Sequence, residues 1–136
     1  MPFTLDPNPK PAARLDAEKL TVYAVALEFQ TLAATLLPGR RHASLRDQLD
    51  RASVSIALNT AEGAGRFAAA DKARFYAIAR GSAAECGAIL DVLVNRRIIS
   101  GHSHRAARLL VIRIVQMLTK LHQRMAQDSL DLSNPC

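Results

Sequence analysis

Residues 45–85 have the sequence LRDQLDRASVSIALNTAEGAGRFAAADKARFYAIARGSAAE, and this stretch decides the fold. It carries two polar clusters, NTAEG at 59–63 and FYAIARGSAAE at 75–85, on two consecutive amphipathic helices. No step of catalysis requires this pattern, whereas a specific polar seam between packed helices does, because half-buried polar groups need partners. The stretch therefore predicts helices that are packed together and held in register by side-chain hydrogen bonds.

The composition indicates one ordered, helical domain. The chain has 136 residues, of which 49% are hydrophobic, with six glycines and six prolines. This length supports a core without covalent staples, and this composition is not that of a disordered chain. Aromatic residues make up only 4% and tryptophan is missing, so we expect helices packed closely through small side chains.

The charge balance is basic. Eighteen Lys and Arg residues, most of them Arg, stand against 12 Asp and Glu residues, for a net charge of +6. Arginine suits bidentate contacts with phosphate or carboxylate groups. The balance makes nucleic acid or an acidic membrane surface a plausible partner, and the alternative is a solvated surface charge that only aids solubility.

The sequence predicts three parts and a cytoplasmic location. We expect a flexible Pro-rich arm over 1–15, a helical bundle over 16–126 and a C-terminal tail over 127–136. Cys86 and Cys136 do not make a disulfide framework, so a reducing cytoplasm fits. No signal peptide and no membrane span are expected, because no segment is apolar over the required length.

Apolar residues recur at steps of three and four over four segments, which predicts four helices. Their predicted bounds are about 16–37, 45–64, 70–98 and 104–126, with Ser103 as the cap of the fourth. The predicted core stripe of the third helix is Phe75, Ile78, Ala79, Ser82, Cys86, Ile89, Leu90 and Leu93. With short turns and no strand signals, the fold class is all-α, an antiparallel up-down four-helix bundle.

Two helices have more apolar surface than one core needs. The third has a ridge of small residues opposite its core stripe, and the fourth has branched residues off its stripe. Since a helix that is apolar on two sides is usually buried on two sides, we infer self-association. The alternative is that one bundle with shifted helices covers both faces. The predicted interface residues are Ala77, Gly81, Ala84, Ala88, Leu109, Ile112 and Val115.

A polar stripe follows one side of the second helix, and side chains of the third helix are placed to face it. We interpret it as a hydrogen-bonded seam that sets helix register, and the alternative is a ligand or RNA-contact site. The stripe comprises Gln48, Arg51, Ser55, Asn59, Glu62 and Arg66, with Arg80, Ser82 and Glu85 opposite.

Basic residues follow the fourth helix and two of the turns. On the fourth helix they fall in the half that faces away from its core stripe. They could form a surface that tracks phosphates, which a symmetric oligomer would multiply, or they could be an ordinary solvated face. The candidate nucleic-acid-binding residues are Arg105, Arg108, Arg113, Lys120, Arg124, Arg96, Arg97, Arg40 and Arg41.

Residues that could support catalysis do not group along the chain. His102 and His104 lack the spacing and the carboxylates of a metal site, and Cys86 lies on an apolar stripe. We therefore expect a protein that is not an enzyme and that has no metal or cofactor. A cryptic site at Arg51, Asn59 and Glu62 is a minor alternative without a nucleophile–base pair.

The motif run resembles the family of 23S rRNA intervening-sequence proteins, also called the S23 ribosomal protein family. The resemblance covers roughly residues 18–125, including LTVYAVALEF at 20–29. It rests on Leu45, Gln48, Leu49, Arg51, Ala52, Ser55, Ile56, Asn59, Ala61, Glu62, Gly63, Gly65, Arg66, Phe75, Tyr76, Ile78, Ala79, Gly81, Ser82, Glu85 and Leu90. Thr60 departs from the commoner apolar residue at that position of the family.

The resemblance implies an antiparallel four-helix bundle, often a homopentamer, without catalytic residues. The chain is similar also to the accessory protein of diversity-generating retroelements, a basic pentamer that binds nucleic acid and a reverse transcriptase. We therefore expect a homo-oligomer that binds RNA or other nucleic acid through basic helix faces. The alternative is a protein-interaction scaffold that binds a protein partner and no nucleic acid.

Overall fold

A computed structural model describes residues 13–133, which form a short 3-10 turn and four α-helices. The turn is Asp16–Lys19, and the helices are α1 (Thr21–Leu36), α2 (Ala43–Gly65), α3 (Ala69–Asn95) and α4 (Gly101–Ser133). Each of α1 and α3 packs against both α2 and α4. Short loops reverse the chain between consecutive helices, so the predicted antiparallel up-down four-helix bundle is confirmed.

The core lies along the axis of the bundle and receives side chains from all four helices. Its largest fully buried members are Phe29, Leu49, Ile56, Leu90, Leu93, Ile114 and Leu118. Each contributes about 1.5–3 kcal/mol of transfer free energy when it leaves water. The three- and four-residue spacing of the sequence places these residues inward on every helix.

The first half of α3 is rotated relative to the sequence prediction. Ile78 was expected in the core but its side chain is 44% exposed, and Phe75 is only half-buried. Tyr76, which was not expected there, is 3% exposed. The reason lies on α2, where Gly63 leaves room for the ring: a Cβ atom added at Gly63 would lie 2.8 Å from Tyr76 Cε1.

The start of α1 and the end of α3 differ from the predicted helix ends. Leu20 has extended backbone angles, so α1 begins at Thr21 and the residues before it form the 3-10 turn. The C-terminus of α3 closes at Asn95 because Arg97 adopts a φ of 58°, which lets the Ile98 amide donate to Leu93 O at 2.9 Å.

The fourth helix is longer than predicted at both ends. It begins at Gly101, and its cap is Ser100 rather than Ser103, since the Ser103 amide donates to Ser100 Oγ at 3.0 Å. It continues to Ser133, so residues 127–133 of the predicted tail are helical. The predicted Pro-rich arm is described only from residue 13 onward, and residues 1–12 and 134–136 lie outside the described residues. Within 13–133, no helix has the length and apolarity to cross a membrane.

Candidate nucleic-acid interface

A hydrogen-bonded seam joins α2 to α3 at the centre of the predicted polar stripe. The hydroxyls of Ser55 and Ser82 lie 2.8 Å apart, and Asn59 Nδ2 donates to both the hydroxyl and the carbonyl oxygen of Ser55 at 3.0 Å. Ser82 is buried and the other two are half-buried. These groups satisfy one another, which is the arrangement that holds two helices in register rather than one that binds a ligand.

The other members of the stripe are not brought into this seam. Gln48, Arg51 and Glu85 are exposed. Arg80, which was expected to face α2, instead donates from Nε to Thr119 Oγ1 of α4 at 2.7 Å. Arg80 lies on α3 between the side that contacts α2 and the side that contacts α4, so the sequence allowed its side chain to face either helix. The packing of the helices directs it to α4.

The end of the stripe forms a cation–aromatic cluster beside the α2–α3 loop. Glu62 accepts a hydrogen bond from Arg66. The guanidinium carbons of Arg66 and Arg74 lie 4.8 and 4.5 Å from the ring centre of Phe75. Two cations against one ring stabilise the loop by about 0.5–1 kcal/mol each at such exposed sites.

Lys72 is a residue whose role the sequence did not reveal. Its ammonium donates to Gly63 O at 3.2 Å and to Ala64 O at 2.8 Å, so it caps the C-terminus of α2 from the first turn of α3. A cation at a helix C-terminus complements the helix dipole. The short loop between the helices was the only signal, because it limits which side chains reach back.

All five basic residues predicted on α4 are exposed: Arg105, Arg108, Arg113, Lys120 and Arg124. No acidic residue precedes Asp128 on this helix. Within the described part of the chain, none of the five forms an ion pair with a carboxylate. The surface therefore keeps its full positive charge and can attract a polyanion.

Four further arginines lie at one end of the bundle. Arg40 and Arg41 belong to the α1–α2 loop, and Arg96 and Arg97 to the α3–α4 loop. In an up-down bundle these two loops share one end, which we call the basic end. All four side chains are exposed.

The predicted interface and the predicted basic face of α4 occupy the same surface. Leu109 is 64% exposed and lies one turn from both Arg105 and Arg113 on the same side of the helix. Ile112 is half-exposed beside them, whereas Val115 packs against the core. This part of α4 therefore presents an apolar centre with a basic border.

The small-residue ridge of α3 is exposed over its whole length at Ala77, Gly81, Ala84 and Ala88. Ala88 lies about 10 Å from the C-terminus of α3, and Leu109 about 12 Å from the N-terminus of α4. Because the two helices are antiparallel neighbours, these residues lie at a similar height. The ridge and the apolar centre of α4 therefore extend over adjacent helices.

Two histidines have hydrogen-bond partners within the protein, and Cys86 is buried. His104 Nε2 lies 2.8 Å from Asp91 Oδ1, and His122 Nδ1 lies 2.9 Å from Ala73 O. Burial, with a smaller effect of Glu85, raises the pKa of the Cys86 thiol to about 12, so the thiol is protonated and unreactive at neutral pH. Among residues 13–133, no three His, Cys, Asp or Glu side chains are grouped to hold a metal ion.

Comparison with known proteins gives a family for this arrangement. The family model of the 23S rRNA-intervening sequence protein matches residues 18–120, which include the seam and most of α4. The chain belongs to this family. No curated protein matches the chain.

A solved member of the S23 ribosomal protein family supports the fold. The crystal structure of this protein of unknown function from Bacteroides thetaiotaomicron VPI-5482 aligns with a TM-score of 0.70 at 20% sequence identity. The alignment covers 79% of this chain and 98% of that chain. At this identity the likeness shows the bundle alone and not the properties of its surface.

Proposed function

We propose that this member of the family is a non-enzymatic, homo-oligomeric bundle that binds RNA or another nucleic acid through basic helix faces. The observation that carries the proposal is the row of five exposed cations on α4, without a carboxylate on the same helix before Asp128. Such a row follows a phosphate backbone without requiring a base sequence.

The test replaces Arg105, Arg108, Arg113, Lys120 and Arg124 with Gln and measures binding to structured RNA, unstructured RNA and duplex DNA across a salt series. Each lost phosphate contact should reduce the slope of log affinity against log salt by about 0.7–0.9. We therefore expect affinity to fall by more than tenfold at low salt, with helix content by circular dichroism unchanged. Unchanged affinity would remove this face from the proposal.

Self-association is the second part of the proposal, and a pentamer is the assembly that the family resemblance favours. Its support is the exposed apolar centre at Leu109 and Ile112 together with the ridge on α3. Light scattering at micromolar concentration should give several times the chain mass of 14.8 kDa. A monomer at all concentrations would contradict it.

The proposal assigns no catalytic step. The polar groups of the seam are engaged with one another, and Cys86 is a buried, protonated thiol. A free buried thiol also fits the cytoplasm, where we expect the protein to act.

A protein-interaction scaffold is the alternative, and exposed apolar residues at the other end of the bundle favour it. Phe67 in the α2–α3 loop is fully exposed, and Leu132 of α4 is 79% exposed. Both line one cleft, which also includes Met125. A stoichiometric protein that co-purifies after nuclease treatment, and that Phe67→Ala with Leu132→Ala releases, would favour this alternative over nucleic-acid binding.

A further inference from the structure

The basic end of the bundle contains a cleft as well as four arginines. The cleft measures about 400 Å³ and lies between the C-terminal turns of α1 and the first turns of α4. Hydroxyls of Thr35, Ser100 and Ser103 and the ring of His102 contribute to its lining. Thr35 Oγ1 donates to Leu32 O at 2.7 Å and Ser100 Oγ donates to Ser103 Oγ at 3.1 Å. The Ser103 hydroxyl and the His102 ring are therefore the lining groups that remain to donate to phosphate oxygens.

A pair of arginines lies close in sequence to each of the two walls of this cleft. The α1 segment that lines it ends at Leu36, shortly before Arg40 and Arg41. The other wall begins at Ile98, directly after Arg96 and Arg97. Two loops that are distant in sequence therefore bring two cationic pairs to the end of the bundle where this cleft lies.

The acidic residues near this end do not neutralise the arginines. Asp91 accepts from or pairs with His104, and Asp47 lies 4.0 Å from Arg46. Within 13–133, no carboxylate forms an ion pair with Arg40, Arg41, Arg96 or Arg97. The positive charge at the basic end is therefore available to a ligand.

We propose that this cleft and its four arginines are the part of the surface that clamps backbone phosphates of RNA. The inference rests on the proposed function and adds a location and a ligand group to it. Arginine is suited to the role because its planar fork binds two phosphate oxygens at once. The α4 row would then guide the strand, while the basic end holds it.

The test compares three variants with the same loss of two charges. They are R96Q/R97Q, R40Q/R41Q and, as a matched control, R14Q/R51Q, whose arginines are exposed elsewhere on the protein. Binding to a labelled structured RNA is followed by fluorescence anisotropy across a salt series. We expect each loop variant to lose at least tenfold in affinity and to reduce the salt slope by one to two, following about 0.9 per contact. The control should stay within about threefold of wild type, which is the loss expected from net charge alone.

A further variant tests whether weaker RNA binding could result from misfolding. Arg97 has a φ of 58°, where glycine is the favoured residue, so Arg97→Gly should raise the melting temperature while it removes a cation from the basic end. A more stable protein that binds RNA more weakly supports the proposal. If Arg97→Gly and R96Q/R97Q both bind like the control, the basic end is not the clamp.

The outcomes separate this inference from the proposed function. Loop variants that bind like the control, together with a weakened α4 variant, would overturn the clamp and leave the proposed function in place. Wild-type protein that binds RNA no better than a charge-matched basic protein would overturn both. Inorganic phosphate that displaces the labelled RNA as effectively as unlabelled RNA does would show that the cleft binds a free anion. This result too would overturn the clamp on a strand.

Discussion

Two glycines lie in opposite environments on the two faces of α3: Gly63 of α2 packs against the inner face, and Gly81 lies exposed on the outer face. On the inner side, the Tyr76 ring packs so closely on Gly63 of α2 that a Cβ there would lie 2.8 Å from Cε1. On the outer side, a Cβ added to Gly81 of α3 itself would meet no atom within 4 Å. A glycine inside a helix costs about 1 kcal/mol relative to alanine. Packing within the chain explains that cost at Gly63 but not at Gly81, which is why we relate Gly81 to a second copy of the chain.

Gly63→Ala should have the largest effect on stability. The added methyl group displaces a buried ring, so we expect the free energy of unfolding to fall by about 1–2 kcal/mol, after the gain in helix propensity is included. Urea denaturation measures it. Gly65→Ala is the matched control, because a Cβ at Gly65 also meets nothing within 4 Å. Equal stability of the two variants would show that Tyr76 moves aside without cost.

Ser82→Ala should weaken the same inner face by about 1 kcal/mol, because it removes the hydrogen bond to Ser55. A double-mutant cycle with Ser55→Ala gives the coupling energy of the two hydroxyls directly. We expect a coupling near 1 kcal/mol. Independent effects of the two substitutions would mean that the seam does not set the register of α2 and α3.

Gly81→Ala tests the outer face in the opposite direction. In the isolated chain it should raise the free energy of unfolding by up to about 1 kcal/mol. If a second copy packs against the ridge, the same methyl group should reduce the mass seen by light scattering. Ala24→Ser, at an exposed position of α1, provides a control for the effect of a surface change. A stabilised variant with unchanged assembly would place the subunit contact elsewhere.

The contribution of Cys86 to the pH dependence of the free energy of unfolding is the smallest expected effect. The pKa of the Cys86 thiol is raised from an ordinary value of 9.0 to about 12, so its contribution is complete below pH 9 and is lost as the pH rises towards 12. At pH 9 the loss should be about 0.4 kcal/mol. Cys86→Ala should flatten this part of the pH dependence between pH 7 and 9, and Tyr76, whose pKa burial raises from 10.0, adds its own loss only at higher pH. An identical profile would mean that the thiol is accessible to water.

The buried half of the bundle was predictable because helix periodicity depends on sequence alone. Phe29, Ile56 and Leu90 each lie on the apolar stripe of their own helix, which repeats at steps of three and four residues, and the structure buries all three. The seam residues Ser55, Asn59 and Ser82 were recognisable because polar groups beside a core stripe must pair. The exposed cations of α4 followed from the same geometry.

The errors lie where two helices meet or where a helix ends. The exchange of Ile78 for Tyr76 depends on the space above Gly63, which is a property of two helices and not of one. The direction of Arg80 towards Thr119 depends on how far α4 lies from α3. The extension of α4 to Ser133 was not predicted, because no strong helix-stop signal marks either the predicted end at residue 126 or the observed end at Ser133.

The fold class, most core positions and the sign of the surface charge follow from periodicity and composition, which are local properties of the chain. Which charges lie near one another depends on how the helices pack. The packing brought Arg40, Arg41, Arg96 and Arg97 to one end of the bundle, and it placed Leu109 among the cations of α4. Distances between helices arise from packing, and no spacing along the chain encodes them.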